Sequence, residues 1–320
     1  MRSLKTLFAL LIIFFTCFAV LSSTTSRAKG QSMTRPLLSY TPEPNVIVAM
    51  YALSYTGTQR IDDHGRDILC DRLGDTYQDF GCTAFCDNQI DGKPDPDYNG
   101  VCGKPPRAPV YSDPYEENPV KIPMQTYYLL DVLTAEMSPG VVMEPQALRA
   151  QAITSRSFAW NLFENRPDHI IRNSNSDQVY IPYKYDSLYR EVYPLEPNTP
   201  DPCAFYISRN PSQQRACTAV AAKYYIAWWE SDVPAQANFQ ADSFGQTLSG
   251  DKPYLEGIPD PISAACDTPR DALVVGMSSR GAMRWARGDQ CALKGNDSEP
   301  WSVTWTRPEQ ILFHYFTRVY

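Results

Sequence analysis

The sequence predicts an α+β fold, in which a helical entry segment packs on a mixed sheet built from later strands and a small disulfide-rich insert lies towards the N-terminus. Residues 126–167 show the apolar spacing of two consecutive helices, and short β-prone runs follow further along the chain. Residues 61–118, by contrast, hold four cysteines among many Asp, Gly and Pro residues. This composition indicates a segment held together by disulfides rather than by an apolar core.

The first residues have the layout of a secretory signal. Arg2 and Lys5 precede an apolar run at residues 7–21, and small or polar residues continue to Ala28. The run has 15 residues, fewer than the ~20 that a spanning helix needs. We therefore expect cleavage after Ala28, with an uncleaved anchor at residues 7–21 as the alternative. Either case predicts a secreted or cell-envelope protein outside the cytoplasm.

Beyond residues 1–28 we predict two parts, a Pro-, Asp- and Cys-rich region at residues 29–118 and a larger domain at residues 119–320. In the first part, residues 45–53 form a β-prone run that is either a strand or part of a linker. Residues 87–97 place oxygen side chains around a glycine, as a calcium loop does. No Glu closes that loop at its twelfth position, which favours a plain turn-rich loop.

The two predicted helices place a carboxylate at an unusual position. Leu129, Val132, Leu133 and Glu136 follow helical spacing, so an apolar stripe ends in an acid. The second helix is expected to begin at Pro145 and to stop before Pro167. Its close-packing face is expected to consist of Leu148, Ala152, Ser155, Ala159 and Leu162. With a turn at residues 138–140 between the helices, Glu136 is expected to point into a crevice.

The rest of the domain is predicted more coarsely. Residues 186–215 are rich in Pro, Asn and Ser and are interpreted as a surface excursion, and residues 218–229 as a helix running into a strand. Excluding Cys17 in the apolar run, eight cysteines remain, an even number that predicts disulfides outside the cytosol. We expect two bridges among the four cysteines of residues 70–102 and two among Cys203, Cys217, Cys266 and Cys291.

Charge and histidine content exclude some classes of function. Removal of residues 1–28 leaves 26 basic and 36 acidic residues, a net charge of −10. This balance argues against nucleic-acid binding through a general basic surface. The chain has only three histidines, so a structural zinc site is not expected. We predict no metal and no cofactor.

Several short motifs lie within residues 120–320. The two most specific are AEM at residues 135–137 and ALRAQAITSRSFA at residues 147–159. Others, in chain order, are DQVY at 177–180, ANFQADSFGQT at 237–247, GMSSRGA at 276–282 and ILFHYF at 311–316. Together they resemble the motifs of the stage II sporulation protein D/LytB family (SpoIID/LytB), and the resemblance implies a SpoIID-like α+β domain.

The resemblance also implies a function. Members of the family cleave peptidoglycan glycan as lytic transglycosylases, preferring strands stripped of stem peptides, and their catalytic acid corresponds to Glu136. One carboxyl suffices because the sugar's own C6 hydroxyl can attack. Substrate-binding roles fall by position on Arg149, Arg156, Gln178, Tyr180, Ser243, Gln246, Thr247 and Ser278. Internal salt bridges are the alternative for the two arginines, and core packing is favoured for Tyr224, Tyr225, Trp228 and Trp229.

The departures from the family pattern support a second hypothesis. Positions where the family has polar or zinc-binding residues carry Gln240, Phe244, Leu273 and Ser279. A chain altered in this way is expected to lack zinc, and it could bind glycan without cutting it. The alternative function is therefore a glycan-binding or amidase-enhancing module, with a cell-wall amidase as its partner. A third hypothesis, an envelope interaction protein, rests on residues 61–118 alone.

Overall fold

The longest helix in the described part of the chain is α2, Pro145–Asn165, and most other elements pack against it. In this computed structural model the described residues belong to one unit, Leu37–Tyr320. They are residues 38–39, 45–51, 59, 64–66, 89–90, 93–94, 119–137, 144–180, 203, 211–266, 274–292 and 298–320.

Helix α1, Leu129–Glu136, packs on α2 and confirms the predicted pair of helices. A π-helical turn, Met124–Tyr128, leads into α1. Helix α2 begins at Pro145 and ends before Arg166, whose backbone is extended. These are the predicted limits, and they follow from the fixed φ of proline at a first helical position and from the restriction that Pro167 places on the residue before it. The predicted turn at residues 138–140 lies outside the described residues.

The mixed sheet has three strands, and their origin differs from the prediction. Strand β2, Asn45–Ala49, pairs antiparallel with β5, Val120–Pro123, and parallel with β6, Ile170–Arg172. The β-prone run at residues 45–53 therefore contributes a central strand. The expectation that later strands build the sheet was wrong, because prolines such as Pro234 and Pro259 stand in the later β-bridges and cannot extend a ladder of hydrogen bonds.

The remaining strands form two-stranded pairs. Antiparallel pairs join β1 (Leu38–Ser39) to β7 (Tyr224–Tyr225), β3 (Gln89–Ile90) to β4 (Lys93–Pro94), and β10 (Asp289–Cys291) to β11 (Ser298–Pro300). A parallel pair joins β8 (Phe239–Gln240) to β9 (Met277–Ser278). Helices and small sheets together confirm the α+β class.

Three further helices complete the domain: α3, Pro211–Ala221, α4, Ser279–Arg287, and α5, Pro308–Tyr315. The predicted helix was placed from residue 218, but α3 begins at Pro211. Its first residue suits proline because a first helical position needs no backbone N–H. The strand predicted after this helix is present as β7.

The core lies between α2 and the elements around it. Every residue of the predicted close-packing face of α2 is buried, and Ala152, Ser155 and Ala159 have no exposed surface at all. Small side chains at a helix contact allow short interaxial distances. On the other side of the contact, α1 contributes Leu129, Leu130, Val132 and Leu133, and the sheet contributes Val46, Val48, Ile122 and Ile171.

Two disulfides stabilise the later half of the domain, as predicted. Cys203 pairs with Cys217, and Cys266 pairs with Cys291. Their loops span 14 and 25 residues, so closing each loop lowers the entropy of the unfolded chain. Disulfides fit an oxidising, extracytoplasmic compartment. The two bridges expected among residues 70–102, and the calcium-loop aspartates of residues 87–97, lie outside the described residues.

Candidate functional site

Glu136 is the last residue of α1, where the helix reaches the edge of the core. The apolar stripe before it is fully buried, and Glu136 itself is only partly exposed. Its Oε1 atom accepts a hydrogen bond of 2.9 Å from the backbone N–H of Val179. This hydrogen bond joins the AEM motif, to which Glu136 belongs, to the DQVY motif, which contains Val179.

The surroundings of Glu136 change its acidity. Protein atoms enclose the carboxyl closely although a small part of the residue still meets solvent. Desolvation raises the pKa of Glu136 from 4.5 to about 7, and the hydrogen bond from Val179 lowers it only in part. A carboxyl with such a pKa is present in both protonation states at neutral pH, so it can donate a proton and then accept one.

The DQVY motif lies beneath this carboxyl, with two of its side chains turned into the core. Gln178 and Tyr180 are both buried. The hydroxyl of Tyr128 donates to Oε1 of Gln178 at 2.7 Å, and the rings of Tyr128 and Tyr180 stack with centroids 5.1 Å apart. The predicted sugar contacts of Gln178 and Tyr180 are thus replaced by contacts within the protein.

Asp177 fixes the start of the same motif. Its two carboxylate oxygens accept from the two terminal nitrogens of Arg166, each at 2.5 Å, and Oδ2 also accepts from the backbone N–H of Arg172 at 2.7 Å. A bidentate pair between guanidinium and carboxylate defines orientation as well as distance. Asp177 therefore anchors the motif to Arg166, the residue that follows α2.

The two predicted binding arginines of α2 have different environments. Arg156 has no exposed surface, and it donates to Oε1 of Gln125 at 3.2 Å and to the carbonyls of Tyr224 at 2.7 Å and Val220 at 2.9 Å. It thereby satisfies a carbonyl at the C-terminus of α3, where a cation is favourable. A glycan could not reach it. Arg149 is partly exposed and forms no hydrogen bond or ion pair with the described residues.

The remaining predicted binding residues lie in a second polar cluster, and no hydrogen bond between described residues joins any of them directly to Glu136. Ser243 is buried and donates to Asp260. Thr247 is also buried, and its hydroxyl accepts from the N–H of Ile258 at 3.0 Å. Ser278 caps α4 by accepting from the N–H of Gly281 at 2.9 Å. Gln246 is exposed.

Asp260 is the centre of that second cluster. Its fully buried carboxylate accepts from Trp285 at 2.8 Å, Tyr315 at 2.9 Å and Ser263 at 3.0 Å, in addition to Ser243. Burial alone raises the pKa of Asp260, but His314 and these donors more than offset that effect, so the pKa is lowered. Asp260 is thus ionised at neutral pH and organises the core, and the sequence motifs did not point to it.

The aromatic run before the second cluster is less buried than predicted. Trp229 has 55% of its surface exposed and Tyr224 has 43%, so the expectation of core packing was wrong for both. Trp228 is partly buried and packs against Tyr254. The turn that follows Trp228 carries Trp229 outward because the chain reverses there, and periodicity does not register such a reversal.

Comparison with known proteins identifies part of the chain. Residues 117–223 match the SpoIID family model, described as a stage II sporulation protein. This confirms the resemblance to the SpoIID family, a cell-wall-related family, and the matched span contains α1, α2 and the DQVY motif. The similarities at residues 237–247, 276–282 and 311–316 lie outside that span and stay predictions. No curated protein matches the chain significantly.

The described residues contain no group of three or more His, Cys, Asp or Glu side chains suited to a metal ion. Within the same part of the chain, no helix has the length and hydropathy to cross a bilayer, and residues 7–21 lie outside it.

Sequence reasoning missed Tyr128 and Val179. The spacing of Tyr128, Val132 and Glu136 on one helix face could have indicated the first, whereas a backbone amide has no residue-type signal.

Proposed function

We propose that this protein is an extracytoplasmic cell-wall protein that cleaves peptidoglycan glycan strands as a lytic transglycosylase, with Glu136 as acid and then base. The observation that carries the proposal is a single carboxyl, desolvated at the edge of the core, with a pKa of about 7. Such a group can protonate a leaving oxygen at neutral pH, which an ordinary surface Glu cannot do efficiently.

The chemistry needs no second carboxylate. Neutral Glu136 donates its proton to the glycosidic oxygen as the bond from that oxygen to C1 of muramic acid breaks. The resulting carboxylate then takes the proton of the C6 hydroxyl while that oxygen bonds to C1. The products are a free hydroxyl on one strand and a 1,6-anhydro ring on the other. Glu136 ends in its starting state, and no water is consumed.

Asp177, the acid closest in sequence to Val179, already forms an ion pair within the protein. Asp177 binds Arg166 through both carboxylate oxygens and also accepts from the N–H of Arg172. A hydrolase would require a second carboxylate as base or nucleophile. Because Asp177 is held in this way, transfer to the sugar's own hydroxyl is favoured over hydrolysis.

A second candidate function has its own supporting observation. Six of the predicted substrate-binding residues are buried and bonded within the protein: Arg156, Gln178, Tyr180, Ser243, Thr247 and Ser278. A site with fewer free polar groups suits glycan binding, or enhancement of a cell-wall amidase, better than catalysis. In either case the partner is peptidoglycan, and the acidic net charge of the chain argues against nucleic acid.

Product analysis distinguishes the two functions. We would incubate the protein, the variant Glu136→Gln and the control Glu144→Gln with peptide-stripped glycan strands and measure 1,6-anhydromuramic ends by mass spectrometry. Glu144 is a suitable control because it is a partly exposed acid next to Arg287. Anhydro ends from the wild type and from Glu144→Gln, but not from Glu136→Gln, are expected. Glycan binding without any product would support the binding module instead.

A further inference from the structure

Among the described residues, the Glu136 carboxyl accepts one hydrogen bond, and its donor lies in a short segment that is held on both sides. Val179 stands between Gln178 and Tyr180, which are both buried. Gln178 uses both ends of its amide: Oε1 accepts from Tyr128 at 2.7 Å, and Nε2 donates to the carbonyl of Ser155 at 3.0 Å. The backbone that carries the Val179 N–H is therefore tied to α1 and to α2.

The hydroxyl of Tyr128 stays protonated and therefore always acts as a hydrogen-bond donor to Gln178. Burial raises its pKa well above 10, and the negative charges of Asp177 and Glu136 raise it further, against the positive charge of Arg166. Since Tyr128 has no exposed surface, it cannot contact a glycan directly.

The hydrogen bonds continue from Ser155, through α2, to the GMSSRGA motif at residues 276–282. Nε2 of Gln151 donates to the hydroxyl of Ser155 at 3.2 Å, and the hydroxyl of Ser279 donates to Oε1 of Gln151 at 2.9 Å. These three residues are all buried. A chain of buried polar groups thus extends from Ser279 at the start of α4, through α2, to Gln178. Because each group is satisfied, the chain favours one conformation of the core.

The geometry at Glu136 also determines where its proton resides. A backbone N–H can only donate, and in a neutral carboxyl the carbonyl oxygen accepts a hydrogen bond better than the hydroxyl oxygen does. Oε1 is the oxygen that accepts from Val179. In the neutral acid the hydrogen is therefore carried by Oε2, the oxygen that Val179 does not occupy. A general acid must present this hydrogen to the leaving oxygen at hydrogen-bond distance.

We infer that Tyr128 and Gln178 are positioning residues of the Glu136 site, which hold the Val179 N–H on Oε1 and so direct the proton of the acid to Oε2. The inference rests on the proposed role of Glu136 as acid. Neither residue touches substrate; both act through the backbone between Gln178 and Tyr180. Asp177 and Arg166, two further charged groups that act on Tyr128, pair with each other.

The variant Tyr128→Phe tests this role, with Tyr254→Phe as the matched control. Tyr254 is also a buried tyrosine, and its hydroxyl accepts from the N–H of Gln236 at 2.8 Å, in contact with none of the positioning residues. Both variants remove one buried hydroxyl and keep the ring. Thermal unfolding of each variant shows whether their losses of stability are comparable.

The decisive measurement is an NMR titration of the Glu136 carboxyl, with Glu136→Gln used to assign its resonance. In the wild type, the amide proton of Val179 is expected to titrate together with that carboxyl. In Tyr128→Phe the hydrogen bond from the Val179 N–H to Glu136 is expected to weaken. We therefore expect the pKa of Glu136 to rise by about half a unit or more, and the pH-dependent change in the chemical shift of the Val179 amide proton to become smaller. Tyr254→Phe should leave both unchanged.

Kinetics give a second readout. We expect Tyr128→Phe to lower kcat roughly tenfold with KM unchanged, because an acid held less well still binds the same glycan. An unchanged pKa of Glu136 in a folded Tyr128→Phe, with cleavage intact, would overturn the positioning role alone. A different result would contradict the proposed function but not the hydrogen-bond arrangement. In that case the wild type makes no anhydro ends, yet the chemical shift of the Val179 amide proton still follows the titration of Glu136.

Discussion

The backbone N–H of Val179 donates to Oε1 of Glu136 at 2.9 Å, although 43 residues separate the two positions. This contact joins the end of α1 to the DQVY motif that follows α2 and β6. It stabilises the carboxylate, but desolvation has the larger effect, and the net result is a pKa of about 7. Burial of the ionised carboxyl therefore lowers folding stability at neutral pH while it gives Glu136 a pKa suited to proton transfer.

Replacement of Glu136 by Gln is expected to stabilise the fold at neutral and alkaline pH. The folded pKa of about 7 lies above the ordinary 4.5, so the folded state binds the proton more tightly than the unfolded state. The wild type therefore loses stability as pH rises between these two values. Gln keeps the acceptor for Val179 but carries no charge. We expect a gain of about 1–3 kcal/mol in the free energy of unfolding at alkaline pH.

Urea unfolding at several pH values measures this gain. The difference between Glu136→Gln and the wild type should vanish at acidic pH, where Glu136 is protonated in both states. Glu144→Gln is the control and should change stability little at any pH. A gain of equal size at acidic and alkaline pH would show that the carboxyl is not the cause.

Replacement of Arg156 by Met is expected to lower the free energy of unfolding by about 3–5 kcal/mol. The loss removes the hydrogen bonds that Arg156 donates to Oε1 of Gln125 and to the carbonyls of Tyr224 and Val220. The variant Arg149→Met is the matched control, because Arg149 lies on the same helix, seven residues before Arg156. It should change stability by less than about 0.5 kcal/mol, because Arg149 forms no bond with the described residues.

Chemical denaturation provides the stability values, and a glycan-binding assay separates the two arginines further. If Arg149 contacts the substrate, as the family resemblance implies, Arg149→Met should weaken glycan binding while the fold stays intact. Equal stability for the two variants would contradict the structural role of Arg156.

The sequence predicted the local features of this fold well. Both helix limits of α2 depend on prolines, Pro145 and Pro167, whose effects are confined to neighbouring residues. The disulfides Cys203–Cys217 and Cys266–Cys291 were also predictable, because each joins the cysteines nearest to one another in that half of the chain. Such features need no knowledge of distant partners.

The long-range contacts could not be predicted in the same way. The carboxyl of Glu136 was found from the apolar stripe of α1, but its partner is a backbone amide, which every residue except proline provides. Arg156 matched a family position that suggested substrate binding, yet its carbonyl partners belong to α3 and β7, and no sequence pattern specifies them. The parallel pairing of β2 with β6 depends on tertiary packing in the same way.

Replacement of Asp260 by Asn is expected to destabilise the protein at neutral pH by about 2–3 kcal/mol. Asn can accept with one oxygen only, whereas the carboxylate of Asp260 accepts on both, from Trp285 on one and from Tyr315 and two serines on the other. The folded pKa of Asp260 is lowered, so its contribution to stability is present above the unfolded pKa and is lost as pH falls through the folded pKa.

The difference between Asp260→Asn and the wild type should therefore narrow as the pH is lowered below about 5. Urea unfolding at neutral and acidic pH tests this. The control Asp251→Asn should have little effect, because the side chain of Asp251 is 71% exposed. A difference that stayed constant from neutral to strongly acidic pH would indicate that packing, and not charge, dominates at Asp260.

Replacement of Gly281 by Ala is expected to destabilise the fold by about 1–3 kcal/mol, although Ala normally favours a helix by ~1 kcal/mol. A Cβ at this position would collide with the hydroxyl of Tyr315, the carboxylate of Asp260 and the capping hydroxyl of Ser278. The start of α4 approaches the anion closely only because position 281 has no side chain. Thermal unfolding should show a lower midpoint for Gly281→Ala, while Arg280→Ala, on an exposed face of the same helix, should change it little. A midpoint for Gly281→Ala above the wild type would mean that the helix propensity of Ala outweighs the collision, and that α4 can move away from Asp260 without loss.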